Sequence, residues 1–183
     1  MSRVKAELTP EEIQEKIQKS KDQKERRINE WVPKKVKLAH DYIENEETQK
    51  KRGIVRGAVH LCQFGENIGS EQNEERPVIV ISNDTINANS GNVLVIPLTK
   101  TLKKKIGRNG KPIYTKDGMP IPRYDSHYFL FKKKYDFLTY DSAVKAEETT
   151  SVSKVRLTQH LGTVDDPNDL QRLEVRVKWV FSL

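Results

Sequence analysis

Two runs of aliphatic residues, Val78-Ile79-Val80-Ile81 and Val93-Leu94-Val95-Ile96, constrain this chain more than any other feature. Four apolar residues in a row leave no polar face, so each run reads as a strand buried on both sides. Between them lies Asn83-Asp84-Thr85-Ile86-Asn87-Ala88-Asn89-Ser90-Gly91-Asn92, dense in turn and capping residues. An antiparallel hairpin about this connection, with strands near 77–82 and 92–99, pairs Ser82 with Val93 and Arg76 with Thr99. Directly opposed side chains stand roughly 5 Å apart on one face of a sheet. A one-residue slip sends Arg76 and Thr99 to opposite faces.

The remaining pattern surrounds this hairpin. Residues 54–62 read as a strand, followed by a polar loop through Glu75, and further strands start near His127 and Ser142. Several short strands at this spacing favour a small barrel. Asp165-Asp166-Pro167 opens a C-terminal helix with Leu170, Leu173, Val177 and Val180 on one stripe. At the other end, Thr9-Pro10-Glu11-Glu12 has the residues of a helix start. That helix is expected to stop near Trp31, because the residue before Pro33 is disfavoured in a helix, with a second helix from about Lys34 to Lys51. Apolar positions are thin on both, so residues 1–52 read as a charged helical arm and 53–183 as the folding domain.

Charge points to a partner. Residues 100–134 hold 11 basic and 2 acidic side chains, a net +9 against +7 for the whole chain. The same stretch carries Gly107, Gly110, Pro112, Gly118, Pro120 and Pro122 and reads as a long exposed loop or irregular hairpin. A block of this kind fits a polyanion such as nucleic acid, with Lys100, Lys103, Lys104 and Lys105 as candidate phosphate contacts; a solvated loop without a ligand fits the charge equally well. Cys62 is the only cysteine and no Cys/His spacing suits zinc, so neither a disulfide nor a metal or other cofactor is expected. Met1-Ser2-Arg3-Val4-Lys5-Ala6-Glu7 lacks the apolar stretch of a leader, and no run is long enough to span a membrane. The cytosol is the expected compartment.

The Arg76–Thr99 pair suits RNA cleavage by the ribose 2′-hydroxyl. The nucleophile then belongs to the substrate; an arginine clamps the phosphate and a threonine hydroxyl bonds one of its oxygens. From geometry alone, a solvated strand-end arginine and a threonine chosen as a β-former remain the alternative.

Arg56-Gly57, Gly69-Ser70-Glu71-Gln72, Arg76-Pro77-Val78-Ile79-Val80-Ile81-Ser82-Asn83-Asp84, Asn87 and Pro97-Leu98-Thr99 resemble the MazF/PemK toxins, with no gap from Arg56 to Thr99. Asp141-Ser142 through Glu147 to Lys154-Val155-Arg156-Leu157 is similar to that family's last strands, and the resemblance covers about 53–183. It implies an SH3-like barrel of the MazF/CcdB type with helices, usually a homodimer, that cuts single-stranded RNA sequence-selectively without metal and is held in check by a cognate antitoxin. Carried over by motif, Arg76 is the catalytic arginine, a phosphate stabiliser and proton donor, and Thr99 assists it. Ser70, Glu71 and Gln72 match the loop that meets RNA and is blocked or displaced by antitoxin.

The chain departs from the family in Asn73-Glu74 where two glycines are common, in Glu75 before Arg76, in Ala58 for an acidic residue, in Glu148 for a glutamine, and in a longer 100–126 loop. Carboxylates at 74 and 75 are expected to repel substrate or pair with Arg76. Two other readings stay open: a non-catalytic nucleic-acid binder or gyrase-poisoning protein of the CcdB type on the same fold, and an arm at 1–52 that oligomerises or holds the domain inactive.

Overall fold

The two apolar runs pair in the register that symmetry about the connection requires. A computed structural model describes residues 8–183, so the leader reading at Met1–Glu7 and the first seven residues of the expected arm lie outside the described residues. In it, β2 (Glu74–Val80) and β3 (Asn92–Thr99) are antiparallel, with Val78 opposite Pro97, Ile79 opposite Ile96 and Val80 opposite Val95. Each run feeds two cores, as continuous apolar sequence demands. Ile79, Ile96 and Leu98 join one cluster with Val59, Leu130, Val144 and Leu173, whereas Val78, Val80, Val93 and Val95 join another with Cys62, Phe64, Val152 and Leu157.

The connection between them is more ordered than a turn. A one-and-a-half-turn helix, α3 (Asp84–Asn89), is capped by Asn83, whose side chain accepts from the Thr85 N–H. Buried Asn87 closes it: its Nδ2 donates to the Ser82 carbonyl at 3.0 Å, and Ser82 Oγ donates to Asn87 Oδ1 at 2.5 Å while accepting from the Leu94 N–H.

Strand β1 (Ala58–Gly65) lies on the other side of β2 and pairs in turn with β7 (Leu157–Thr163); β3 also pairs with β5 (Ser142–Lys145) and β6 (Thr150–Ser153), and β5 with β4 (His127–Leu130). The first strand starts later than expected because Gly57 takes a left-handed turn (φ 85°), and a Cβ there would sit 2.5 Å from the Val164 carbonyl. The mainly antiparallel sheet expected is present, but as an open path that does not close into a barrel: among the described residues no pairing joins β6 to β7. The 3-10 turn between them, Lys154–Arg156, is held by side chains instead. The Arg52 guanidinium donates to the carbonyls of Lys154 and Leu157, and that of Arg156 to those of Gln63 and Phe64.

Helix α4 (Pro167–Phe181) covers the first cluster with Leu170, Leu173, Val177 and Val180, as its stripe predicts. Its Asp169 is buried and accepts from the hydroxyls of Tyr128 and Tyr135, both at 2.6 Å, and from Lys134 Nζ at 2.8 Å. Burial alone pushes this carboxyl up, but Lys134 and the two phenols hold it below the ordinary aspartate value.

The N-terminal helix does not stop at Pro33. α1 runs Pro10–Glu44, opened by the expected capping box between Thr9 and Glu12, and the break falls at Asn45 before α2 (Glu46–Lys51). No residue of α1 is buried, so the carbonyl that Pro33 leaves without its helical partner faces solvent rather than an apolar interior, and the helix formers on either side carry the helix through. Trp31 packs against Gly65, where a Cβ would fall 2.0 Å from the indole; Lys24 pairs with Glu66 at 2.6 Å and Arg27 with Glu74 at 3.5 Å.

Lys154 is fully buried, and its Nζ donates to the carbonyls of Lys50, Arg52 and Asn87 at 2.6, 3.0 and 2.5 Å. Burial holds its pKa below the ordinary lysine value, yet three carbonyl oxygens, two from the end of α2 and one from α3, converge on it. Lys154→Met keeps the stem and strands those oxygens. Each unsatisfied buried group costs about 1–3 kcal/mol, so the change is expected to cost at least about 3 kcal/mol and lower Tm by roughly 6–12 °C in a thermal melt.

Candidate functional site

The β2–β3 ladder ends where Pro77 and Pro97 stand, neither of which has an N–H to donate. Beyond Val78 and Pro97 the two strands no longer pair with each other: Arg76 lies opposite Cys62 of β1 and Thr99 opposite Ala143 of β5. The separation opens a cleft of about 420 Å³ at the end of the hairpin. Arg76 shares the sheet face of Val78 and Val80, and Thr99 that of Val93 and Val95, so both side chains line this cleft on the same side.

Arg76 is half-buried, and its Nε donates to the Asn73 carbonyl at 2.8 Å, which fixes the plane of the guanidinium. Its terminal nitrogens carry no hydrogen bond among the described residues. The expected pairing of Arg76 with the neighbouring carboxylates does not occur: Glu74 faces Arg27, and Glu75 accepts from the Thr158 hydroxyl at 3.2 Å. Glu74 reaches Arg27 from a left-handed backbone (φ 66°) at a bulge opposite Gly65, where glycine is common in the family resembled. The Thr99 hydroxyl accepts only the Thr101 N–H, at 3.3 Å, among the described residues.

Of the loop and basic candidates, Gln72 and Lys103 line the Arg76–Thr99 cleft. Ser70 and Glu71 line a neighbouring one, which meets the first at Gln72 and Glu147. Lys100, Lys104 and Lys105 are outside both; Lys100 lies 5.9 Å from the centre of the Tyr140 ring, and Lys104 is half-buried in a bridge to Pro122. Residues 100–126 form the irregular hairpin, with Lys105, Ile113 and Ile121 linked in series by backbone hydrogen bonds.

Sequence reasoning missed the far wall. Strand β4 brings His127 into the cleft, the end of β5 brings Lys145 and the turn after it Glu147, and Tyr124 comes from the hairpin's return. His127 is 3 % exposed, and its Nε2 meets Glu147 Oε1 at 2.8 Å while its Nδ1 has no partner. Burial pushes the Glu147 carboxyl up, but bonds from Ser126, its own backbone N–H and His127 together bring it below the usual glutamate value. Glu148 takes both Gln72 Nε2 and Lys145 Nζ, and so anchors the loop to the wall. The β4–β5 register, His127 opposite Lys145, was the one available signal, and an eleven-residue connection without a turn motif hides it. Among the described residues no group of three His, Cys, Asp or Glu side chains is placed to hold a metal ion, and no helix is long and apolar enough to cross a membrane.

A sequence profile described as a PemK-like, MazF-like toxin of type II toxin-antitoxin systems matches residues 55–181. The chain belongs to this family. The protein named Endoribonuclease MazF from Staphylococcus epidermidis is 33% identical over 108 residues, which is 59% of this chain and 75% of that protein. A crystal structure of MazF from Deinococcus radiodurans is 18% identical and superposes with a TM-score of 0.52 over 71% of this chain and 97% of that one, a likeness of fold. An endoribonuclease in complex with its cognate antitoxin, from mycobacterial species, is also 18% identical, with a TM-score of 0.49 over 71% of this chain and 96% of that one. The family match starts at residue 55, so α1 and α2 lie outside it.

Proposed function

We propose that this PemK/MazF-family chain is the toxin of a toxin–antitoxin pair, a cytoplasmic endoribonuclease that cuts single-stranded RNA by 2′-hydroxyl attack without a metal ion. The observation that carries the reading is the placement of Arg76 and Thr99 on one side of one cleft, with the guanidinium's plane fixed and its terminal nitrogens open to a ligand. In this reaction the 2′-oxygen bonds to phosphorus and the bond to the 5′-oxygen breaks, leaving a 2′,3′-cyclic phosphate and a 5′-hydroxyl. Arg76 binds the non-bridging oxygens and neutralises charge as it grows; Thr99 donates to one of them. Glu147, held ionised in the opposite wall, takes the 2′-hydroxyl proton, and Arg76 gives one to the departing 5′-oxygen.

Ser70, Glu71 and Gln72 and the lysines of the hairpin extend the RNA path away from the phosphate, with Lys103 nearest the chemistry. The partners of this reading are RNA, a cognate antitoxin and a second copy of the chain, with residues 1–52 an added arm and 53–183 the toxin domain. The pairing of a positioned arginine with a hydroxyl in a cleft favours an enzyme over a gyrase-binding or purely nucleic-acid-binding relative.

Purified chain with a mixed-sequence RNA in EDTA is expected to give cyclic-phosphate ends at a defined motif, and a 2′-deoxy sugar at the cut site is expected to block it. Strict dependence on added magnesium, or efficient cutting of the deoxy substrate, would contradict the mechanism. Arg76→Ala and Thr99→Ala are each expected to fold, by circular dichroism, and to lower the single-turnover rate about 10²–10³-fold. Arg76→Lys is expected to be poor as well, since a point charge does not reproduce the two-pronged grip on phosphate. Lys103→Gln is expected to reduce the slope of log affinity against log salt by about 0.7.

A further inference from the structure

Base recognition has no assigned residue in the cleft, and the hairpin 100–126 supplies one. A single-stranded RNA threading past Arg76 presents unstacked bases, which proteins hold on aromatic faces. Two rings line the cleft. His127 is 3 % exposed and unavailable, whereas Tyr124 is 40 % exposed. We infer that Tyr124 is a nucleobase-stacking residue, the base platform of a nucleotide subsite next to the cleaved phosphate, with Lys103 and Arg123 holding that nucleotide's phosphates. The inference rests on the RNA-cleaving reading above and goes beyond it by naming what reads the flanking base.

Three observations converge on Tyr124. Its position is fixed before any ligand arrives: the Arg123 N–H donates to the Lys103 carbonyl and the Lys105 N–H to the Ile121 carbonyl, both at 2.8 Å, while the His127 N–H donates to the Tyr124 carbonyl at 3.1 Å. The ring also meets the imidazole of His127 edge-on, with centroids 5.1 Å apart and planes at 61°, and His127 is itself held by Glu147. A platform fixed in this way loses little entropy when a base lands on it.

Next, Lys103 Nζ and the Arg123 guanidinium lie 5.5 and 5.6 Å from the ring centre, both side chains are exposed, and neither forms an ion pair among the described residues. An aromatic face with two uncommitted cations beside it matches a nucleotide, which presents a flat π-face and a phosphate one sugar away. An arriving base displaces a cation from the ring onto the adjacent phosphate and exchanges a cation–π contact for stacking plus a charge pair. Finally, Tyr124 shares the cleft with Arg76 and Thr99, so the stacked nucleotide is a close neighbour of the cleaved bond. Duplex bases are shielded within their own stack, and this arrangement selects single strands.

The test is fluorescence anisotropy of the full chain with a short single-stranded RNA blocked by one 2′-deoxy sugar at its mapped cut site, and with a series in which one nucleotide at a time is abasic. Wild type is expected to lose about tenfold or more in affinity at one abasic position flanking the cut. Tyr124→Ala is expected to lose a similar factor on the intact RNA and to lose nothing further at that position. Tyr124→Phe and Tyr124→Trp keep wild-type affinity, as does Tyr114→Ala, which removes a ring that is 52 % exposed but outside the cleft. Wild-type affinity in Tyr124→Ala, or an undiminished abasic penalty at that position, overturns the stacking role while leaving cleavage of unblocked RNA intact. A wild-type chain that neither binds nor cuts any RNA overturns both readings, so the two failures are told apart.

Discussion

Everything at the candidate site depends on the register of β2 against β3. That register is not set by the turn alone. Because Val78 and Val80 fill one core and Ile79 the other, a slip by one residue would exchange the contents of two packed clusters at once. The hydrogen bonds among Ser82, Asn87 and Leu94 close the connection at one end. Pro77 and Pro97 weaken the ladder at the other, and the strands part there. A tightly specified hairpin thus delivers Arg76 and Thr99 to one face and leaves room between them for a substrate group.

The rest of the molecule braces that arrangement. Lys154 gathers carbonyls from α2, the chain after it and α3, and Arg52 and Arg156 bond backbone oxygens at the place where a closed barrel would have had another ladder. Long basic side chains with many donors do here what strand pairing does elsewhere. The arm joins through Trp31 on Gly65 and through Lys24 and Arg27, and its cations take up Glu66 and Glu74. Of the two acidic residues that look harmful to a phosphate site in the sequence, Glu74 is thereby turned toward Arg27, while Glu75 accepts from the Thr158 hydroxyl.

What could be read from the sequence was local or nearly so. The β-branched runs, the Asn-rich connection, the capping box at Thr9 and the stripe of α4 each record their structure within about twenty residues. Pro33 misled because the disfavour for a helical residue before proline is a local preference, and the helix formers on either side of it in α1 override it. The far wall of the cleft was not legible for a different reason: His127, Lys145 and Glu147 reach Arg76 through β4–β5–β3 pairings separated by long connections, and no periodicity in a single sequence encodes which distant strands meet. Ser70 and Lys103 look alike in the sequence, both polar and in loops, yet only Lys103 lines the Arg76 cleft.

The central claim is that Arg76 and Thr99 act on one phosphate as a unit, and a double-mutant cycle on the single-turnover cleavage of one mapped RNA tests it most directly. If both grip the same phosphate, the Arg76→Ala/Thr99→Ala double variant cuts well above the rate obtained by multiplying the two single losses, because the second removal has little left to destroy. Losses that multiply independently, within error, would mean that the two side chains serve separate steps or separate phosphates, and the account built on their shared face would be wrong.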